Sequence, residues 1–370
     1  MEKHKRGQWA SNLGFVLATA GAAVGLGNIW KFPYLAGQNG GGAFVLVYIL
    51  LVIIMGFTIT LAEMSVGRAT GKNCVGAFRQ LNKKFSFVGG LGVFTGFIIL
   101  SYYSVIGGWV FKYIITYITG ANFGGDISGY FDSYVASPVM PVVFHILFMA
   151  ATAFIVANGI SGGIEKASKF MMPGLFLLLV VIAVRSCTLP GAAEGLKYFL
   201  VPDFSKLTPS VIVAAMGQVF FSLSLGMGIT TTYGSYLSKH ANIEKNCVMI
   251  PGLDTMAAML SGLAIIPAVF AAFPGEGASH VGAGPSLMFK TLPAVFESMP
   301  MGVVFGLLFF ILVAFAAVTT AGRHRCLCGG RVPLEPYQSR CDSGQHLCPH
   351  RCGSFPVSGC YGIEYAYLEL

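Results

Sequence analysis

Long apolar runs alternate with short polar connections along most of the chain. A helix needs about 20 predominantly apolar residues to cross the hydrocarbon core of a bilayer. Eight stretches meet that demand, near 11–35, 43–67, 87–118, 139–157, 170–189, 209–236, 248–273 and 301–320. The pattern predicts an all-α polytopic membrane protein. The connections at 119–138, 190–208 and 274–300 are longer than the others. Pro190, Pro202, Pro209, Pro274, Pro285 and Pro293 lie in or beside them, so short helices and turns are expected there. Lys3, Lys5 and Arg6 precede the first stretch as they would a signal peptide, but that stretch is too long and too rich in glycine for one.

Composition agrees with the pattern. Of 370 residues, 55% are hydrophobic and 10% charged, and the mean hydropathy is +0.72. An ordinary soluble domain carries about 25% charged residues, so lipid is the expected solvent. The net charge of +8 raises nucleic acid as a partner. No basic patch is interleaved with aromatics outside the apolar stretches, so that class is set aside. The cations instead order the topology. With the N-terminus in the cytoplasm, the inner segments hold twelve of them, Lys3, Lys5, Arg6, Arg68, Lys72, Arg79, Lys83, Lys84, Lys166, Lys169, Lys239 and Lys245. The outer segments and helix ends hold six, Lys31, Lys112, Arg185, Lys197, Lys206 and Lys290. Excess positive charge marks the cytoplasmic side.

The last fifty residues differ from the rest. Through residue 320 there are 14 Lys and 4 Arg, and after it 5 Arg and no Lys. The same tail holds six of nine Cys and three of seven His, and the apolar pattern stops just after Thr319 and Thr320. Two readings compete. His324, Cys326, Cys328, Cys341, His346, Cys348, His350 and Cys352 could suggest a zinc module, but their spacing contains no paired C-x2-C arrangement. An abrupt change of cation type within one apolar stretch is also what an out-of-frame translation would produce, and that is the reading adopted. Residues 1–320 are expected to form the membrane domain, and 321–370 an aberrant tail without function.

Three features inside the apolar stretches call for an explanation. Gly21-Ala22-Ala23-Val24-Gly25-Leu26-Gly27-Asn28 interrupts the first, and Ser222-Leu223-Ser224-Leu225-Gly226-Met227-Gly228 the sixth. Each glycine weakens a helix by about 1 kcal/mol. Helices broken at mid-membrane free carbonyls that attract cations and N–H groups that attract a carboxylate. Close helix packing is the plainer explanation for one such run, and Gly21 and Gly25 have the spacing for it. Two runs, five stretches apart, favour a site between the breaks. The third feature is acid within lipid: Glu63 in the second stretch and Asp254 in the seventh, each costing about 2.5–3.5 kcal/mol at mid-membrane. Glu63 is expected to hydrogen-bond broken-helix backbone, and Asp254 to bind a cation, since hard cations select oxygen ligands. No HExxH, G-x-S-x-G or phosphate-binding P-loop is present, so no enzyme activity and no ATP-driven pump is expected.

At these residues the chain resembles the neurotransmitter:sodium symporter family, in its bacterial amino-acid branch. The matching stretches are WASNLGFVLATAGAAVGLGNIWKFPYLAGQNGGGAF (9–44), the helix carrying Glu63, SYYSVIGGW (101–109), GQVFFSLSLGMGITTTYGSY (217–236) and FAAVTT (315–320). The resemblance covers about residues 5–320. It implies a LeuT-like inverted-repeat fold, with helices 1 and 6 broken, a first five-helix repeat at about 9–189 and part of a second at about 209–320. It also implies a multi-pass protein of the bacterial inner (plasma) membrane that imports a small hydrophobic or aromatic amino acid with sodium by alternating access, the truncated chain itself being inactive. A non-transporting amino-acid receptor on the same scaffold is the alternative.

The resemblance assigns roles by position. The substrate carboxylate would meet Leu26, Gly27 and Tyr103, and its amino group carbonyls near Ala23, Phe221 and Ser224. Ile99, Tyr103, Phe221, Ser224, Met227 and Thr320 would line the side-chain pocket. One sodium ion would take the Ala23 carbonyl, Asn28, Ser222, Asp254 and the substrate carboxylate. A second would take carbonyls of Gly21, Val24 and Ala316 with Thr319 and Thr320. Many relatives carry Asn at the position of Asp254, and others need chloride near Tyr48, Gln218 and Ser222, so Asp254 would supply that negative charge here. Arg6, Lys31, Glu63 and Tyr236 would have gating or structural roles.

Overall fold

The computed structural model describes residues 12–120, 123–158, 164–237, 241–282, 284 and 287–328. Arg6 and the Cys/His-bearing tail beyond 328 lie outside them.

In chain order the α-helices are α1 (Asn12–Ala23), α2 (Phe32–Gln38), α3 (Gly42–Leu51), α4 (Phe57–Thr70), α5 (Cys74–Leu81), α6 (Ser86–Ile118), α7 (Ile127–Ala136), α8 (Met140–Ala157), α9 (Lys166–Cys187), α10 (Ala192–Leu200), α11 (Pro209–Leu223), α12 (Ile229–Gly234), α13 (Ile243–Ala272), α14 (Gly277–Val281), α15 (Leu292–Glu297) and α16 (Gly302–Cys328). The described residues contain no strand; Gly41 and Pro202 form one isolated bridge.

Among the described residues, six helical segments are long and apolar enough to cross a bilayer: Gly42–Thr70, Lys83–Ile118, Met140–Ala157, Lys166–Cys187, Ile243–Ala272 and Gly302–Gly322. The two remaining apolar stretches are the interrupted ones. The first is divided into α1 and α2, the sixth into α11 and α12. The three long connections carry α7, then α10, then α14 and α15, as their prolines suggested.

Local sequence accounts for many helix ends. Asn73 caps α5 by accepting the Gly76 N–H at 2.9 Å, and Asn242 caps α13 by accepting that of Lys245 at 2.9 Å. Pro209 opens α11 at a position where its missing N–H costs nothing. Pro173 lies within α9, and Pro251 and Pro267 within α13. Neighbouring helices can satisfy the freed carbonyls of such membrane helices.

The bundle is polar at its centre and apolar on its skin. Asn28, Gln218 and Asp254 have no exposed surface, whereas Ile53, Phe154 and Phe170 are 65%, 73% and 74% exposed. An aqueous protein would not show so large an apolar surface. At the centre α1 packs against α9, α13 and α16, and α6 packs against α8 and α16. The helix of the last apolar stretch runs on past Thr320, since α16 continues through His324 and Arg325 to Cys328.

Candidate functional site

The glycine runs do interrupt both helices. After α1, Val24 and Gly25 leave the helical path, and Gly27–Lys31 then winds as a π-helix into α2. Gly25 donates its N–H to Asn28 Oδ1 at 3.1 Å, and Leu26 donates to the Tyr103 hydroxyl at 3.0 Å. A Cβ on Gly25 would stand 2.5 Å from Thr320 Oγ1 and 2.7 Å from Tyr103 Oη, so this position has room for hydrogen only. Gly21 faces elsewhere, toward Met172 of α9. The small-residue pair therefore divides: the Cα face of Gly21 packs against α9, and that of Gly25 against the site.

The second break runs from Ser224 to Gly228. Ser224 has a φ of +55°, left-handed for a residue with a side chain, and Gly226 and Gly228 are at +78° and +70°. Glu63 of α4 accepts the Gly226 N–H on Oε1 at 2.7 Å. The carboxylate thus ties the broken backbone to the second membrane segment. Cys74, at the start of α5, packs its sulfur where a side chain on Gly228 would lie. Burial, with a smaller contribution from the Glu63 charge, pushes the Cys74 thiol up to about 12.

Between the breaks lies a cavity lined by Ala23, Gly25, Gly27, Ile99, Tyr103, Phe221, Ser222, Ser224, Met227 and Thr320. Eight of the nine positions expected to bind substrate are in this lining. The ninth, Leu26, reaches the site through its bond to Tyr103. The free space is about 10 Å³, room for a single water molecule, so the walls are drawn together. A second chamber of about 150 Å³ lies on the far side of Tyr103 and Phe221, bounded also by Leu26, Trp30, Lys31, Tyr34, Tyr102 and Ile106. Lys31 Nζ sits 3.9 Å from the centre of the Phe221 ring, a cation–π contact. Of these outer walls, Trp30, Tyr34, Tyr102 and Ile106 were not anticipated. Their i, i+4 pairs, Trp30 with Tyr34 and Tyr102 with Ile106, were the available signal.

A buried polar cluster adjoins the cavity. Asn28 Nδ2 donates to Asp254 Oδ1 and to its main-chain oxygen, both at 2.9 Å. Ser222 donates to Asp254 Oδ2 at 2.8 Å, and the Tyr48 hydroxyl to the same atom at 3.3 Å. Gln218 Nε2 donates to the Gly27 carbonyl at 2.8 Å. Three of the residues expected around the first sodium ion, Asn28, Ser222 and Asp254, are thereby in direct contact. On the other flank Thr319 Oγ1 donates to Phe315 O at 2.9 Å and Ala316 O at 3.1 Å, and Thr320 Oγ1 approaches Val24 O at 3.5 Å. Thr320, Val24 and Ala316 are thus close neighbours, while Gly21 presents its Cα to α9. Tyr236 is half-buried in the turn after α12, its N–H donated to Tyr233 O at 3.1 Å.

The profile of the Sodium:neurotransmitter symporter family matches residues 6–122 and 138–324. This chain is a member of that family. The chain is 44% identical over 328 residues to an uncharacterized sodium-dependent transporter of Bacillus subtilis, covering 87% of this chain and 71% of the relative. It is 39% identical over 335 residues to another of Haemophilus influenzae, covering 86% and 72%. Among solved structures it matches MhsT in complex with L-phenylalanine, with a TM-score of 0.81 and 44% identity, over 88% of this chain and 74% of that one. The symporter is therefore a multi-pass membrane protein of a sodium-dependent transporter family, with a LeuT-like fold, and it is not an enzyme. The matched region reaches residue 324, inside α16.

Proposed function

We propose that this symporter imports a hydrophobic or aromatic amino acid together with sodium by alternating access. One observation carries the reading. The Tyr103 hydroxyl, which accepts the Leu26 N–H, and Ser222, which is bonded to Asp254, line a cavity whose other walls include Ile99, Phe221 and Met227. A substrate carboxylate would accept from Leu26, Gly27 and Tyr103, as an anion does at a half-helix N-terminus. The amino group would meet carbonyls near Ala23, Phe221 and Ser224. Aliphatic and aromatic walls suit an apolar side chain. The L-phenylalanine bound to MhsT agrees with this class.

Two sodium ions would travel as co-substrates. The first would take the Ala23 carbonyl, Asn28, Ser222 and Asp254, with the substrate carboxylate completing the shell. The second would take carbonyls of Gly21, Val24 and Ala316 with Thr319 and Thr320. A carboxylate shared between substrate and ion makes each affinity depend on the other, and this linkage is reciprocal. Two charges moving inward across ~100 mV supply about 4.6 kcal/mol. That is about a thousandfold accumulation at ~1.4 kcal/mol per decade. Asp254 supplies a fixed negative charge at the first site, which supports transport without chloride. The positive-charge bias supports a cytoplasmic N-terminus in the bacterial inner membrane.

Uptake of radiolabelled Leu, Phe, Tyr and Trp into proteoliposomes, with and without an inward sodium gradient, tests the reading. Sodium-dependent binding in detergent, followed by no uptake under any gradient, would leave a receptor in its place.

A further inference from the structure

A second constellation lies at the end of the molecule that carries Thr70 and Ala241, which Arg68 joins by donating from Nη1 to Ala241 O at 2.7 Å. Helix α5 is amphipathic there. Cys74 and Ala77 are buried, whereas Arg79 and every residue from it through Phe85 are exposed. Within this stretch and just beyond it, cations alternate with large apolar side chains. Arg79, Lys83 and Lys84 are interleaved with Leu81, Phe85 and Phe87, which are 58%, 53% and 58% exposed.

The charges are uncompensated locally. No Asp or Glu occurs between Glu63 and Asp126. Among the described residues none of the three cations forms an ion pair. Water suits the cations and not the rings, and a hydrocarbon core suits the rings and not the cations. The boundary between headgroups and acyl chains accommodates both, and anionic lipid adds attraction for each Lys or Arg. The patch is also held in place. The Cys74 sulfur is seated against Gly228, and Val75 main chain closes on Gly89. A preformed site loses less freedom on binding.

We propose that Arg79, Lys83 and Lys84 bind the phosphate headgroups of anionic phospholipids, with Leu81, Phe85 and Phe87 entering the acyl boundary. On the cytoplasmic-N-terminus orientation proposed above, and only if that holds, the leaflet concerned is the inner one.

The test uses the full chain in nanodiscs of phosphatidylcholine in which the brominated component is either phosphatidylglycerol or phosphatidylcholine. Phe85→Trp places a reporter in the patch, and the unsubstituted chain gives the background from the native tryptophans. Quenching by the brominated anionic lipid is expected to exceed that by the brominated neutral lipid. The preference should fall about fivefold for each cation removed, and vanish in Arg79→Gln/Lys83→Gln/Lys84→Gln. Equal quenching by the two lipids, or an undiminished preference in the triple variant, overturns the proposal. Helicity by circular dichroism confirms that the variants fold. Both leaflets of a nanodisc have one composition, so this readout is independent of orientation. Labelling of Lys83→Cys in sealed vesicles reports orientation separately. Labelling from outside alone would remove the inner-leaflet assignment and leave the lipid site standing.

Discussion

Asn28 and Asp254 are bonded twice across 226 positions of sequence, the Asn28 carboxamide nitrogen reaching both the main-chain oxygen and Oδ1 of Asp254 at 2.9 Å. Ser222 and Tyr48 meet the other carboxylate oxygen. One acid therefore joins the first broken helix, α3 and the second broken helix to α13. Whatever changes the charge at Asp254 changes both breaks together.

Asp254→Ala is expected to abolish sodium-dependent substrate binding. It also leaves buried donors on Asn28, Ser222 and Tyr48 unpaired, at about 1–3 kcal/mol each. Scintillation-proximity binding over a sodium titration measures the effect, and unchanged sodium dependence would refute the assignment. Asp254→Asn keeps the shape and removes the charge. This variant should acquire a requirement for chloride, visible when gluconate replaces chloride in the assay.

Tyr103→Phe removes the hydroxyl that accepts from Leu26 and that is proposed to donate to the substrate carboxylate. A hydrogen bond to a charged group contributes about 1.5–3 kcal/mol. Affinity should fall about ten- to a hundredfold. Substrate competition curves give the number, and a Kd within twofold of the parent would place the carboxylate elsewhere.

Met227 forms a flexible part of the cavity wall, and thioethers adapt to varied apolar shapes. Met227→Phe should reduce the space and favour small aliphatic over aromatic substrates. An unaltered competition profile across Leu, Phe, Tyr and Trp would remove Met227 from specificity.

The Cys74 thiol, pushed up to about 12, stays protonated throughout the physiological range. A raised thiol value means that the reactive thiolate is withheld until alkaline pH. In a background where the other cysteines are serine, maleimide labelling of Cys74 should be far slower than that of an ordinary thiol near 8.5, and should still climb about tenfold per pH unit at pH 9, where the ordinary thiol levels off. A rate that levels off by pH 9 would show that Cys74 is open to solvent.

We further expect the nucleotide sequence beyond codon 320 to hold a long apolar continuation in another reading frame. Reading all three frames decides it. Uniformly polar translations in the other frames would make the Arg-, Cys- and His-rich tail a genuine part of the protein.

Much of the architecture was legible because lipid imposes a single length on every crossing segment. The boundaries near 43–67, 87–118 and 139–157 needed only hydropathy, and the helices found there differ from them by a few residues. The breaks were legible because glycine runs have few uses inside a membrane. What escaped was set by tertiary contact. Nothing local distinguishes Gly25, which must clear Thr320 and Tyr103, from Gly21, which must clear Met172. The π-helical winding at Gly27–Lys31 has no composition signal of its own. Lys31 over Phe221 joins residues 190 positions apart, and no period of 3.6 residues can announce such a pair.

Ser224 gives the second break a further property. A side-chain-bearing residue held left-handed costs about 1–2 kcal/mol, and it persists only while its surroundings fix it. Here those surroundings are the end of α11, where Ser224 donates its N–H to Phe221 O at 3.3 Å and Leu225 donates to Phe220 O at 3.0 Å. The turn is thus set by the end of its own half-helix, where glycine would sit without that cost.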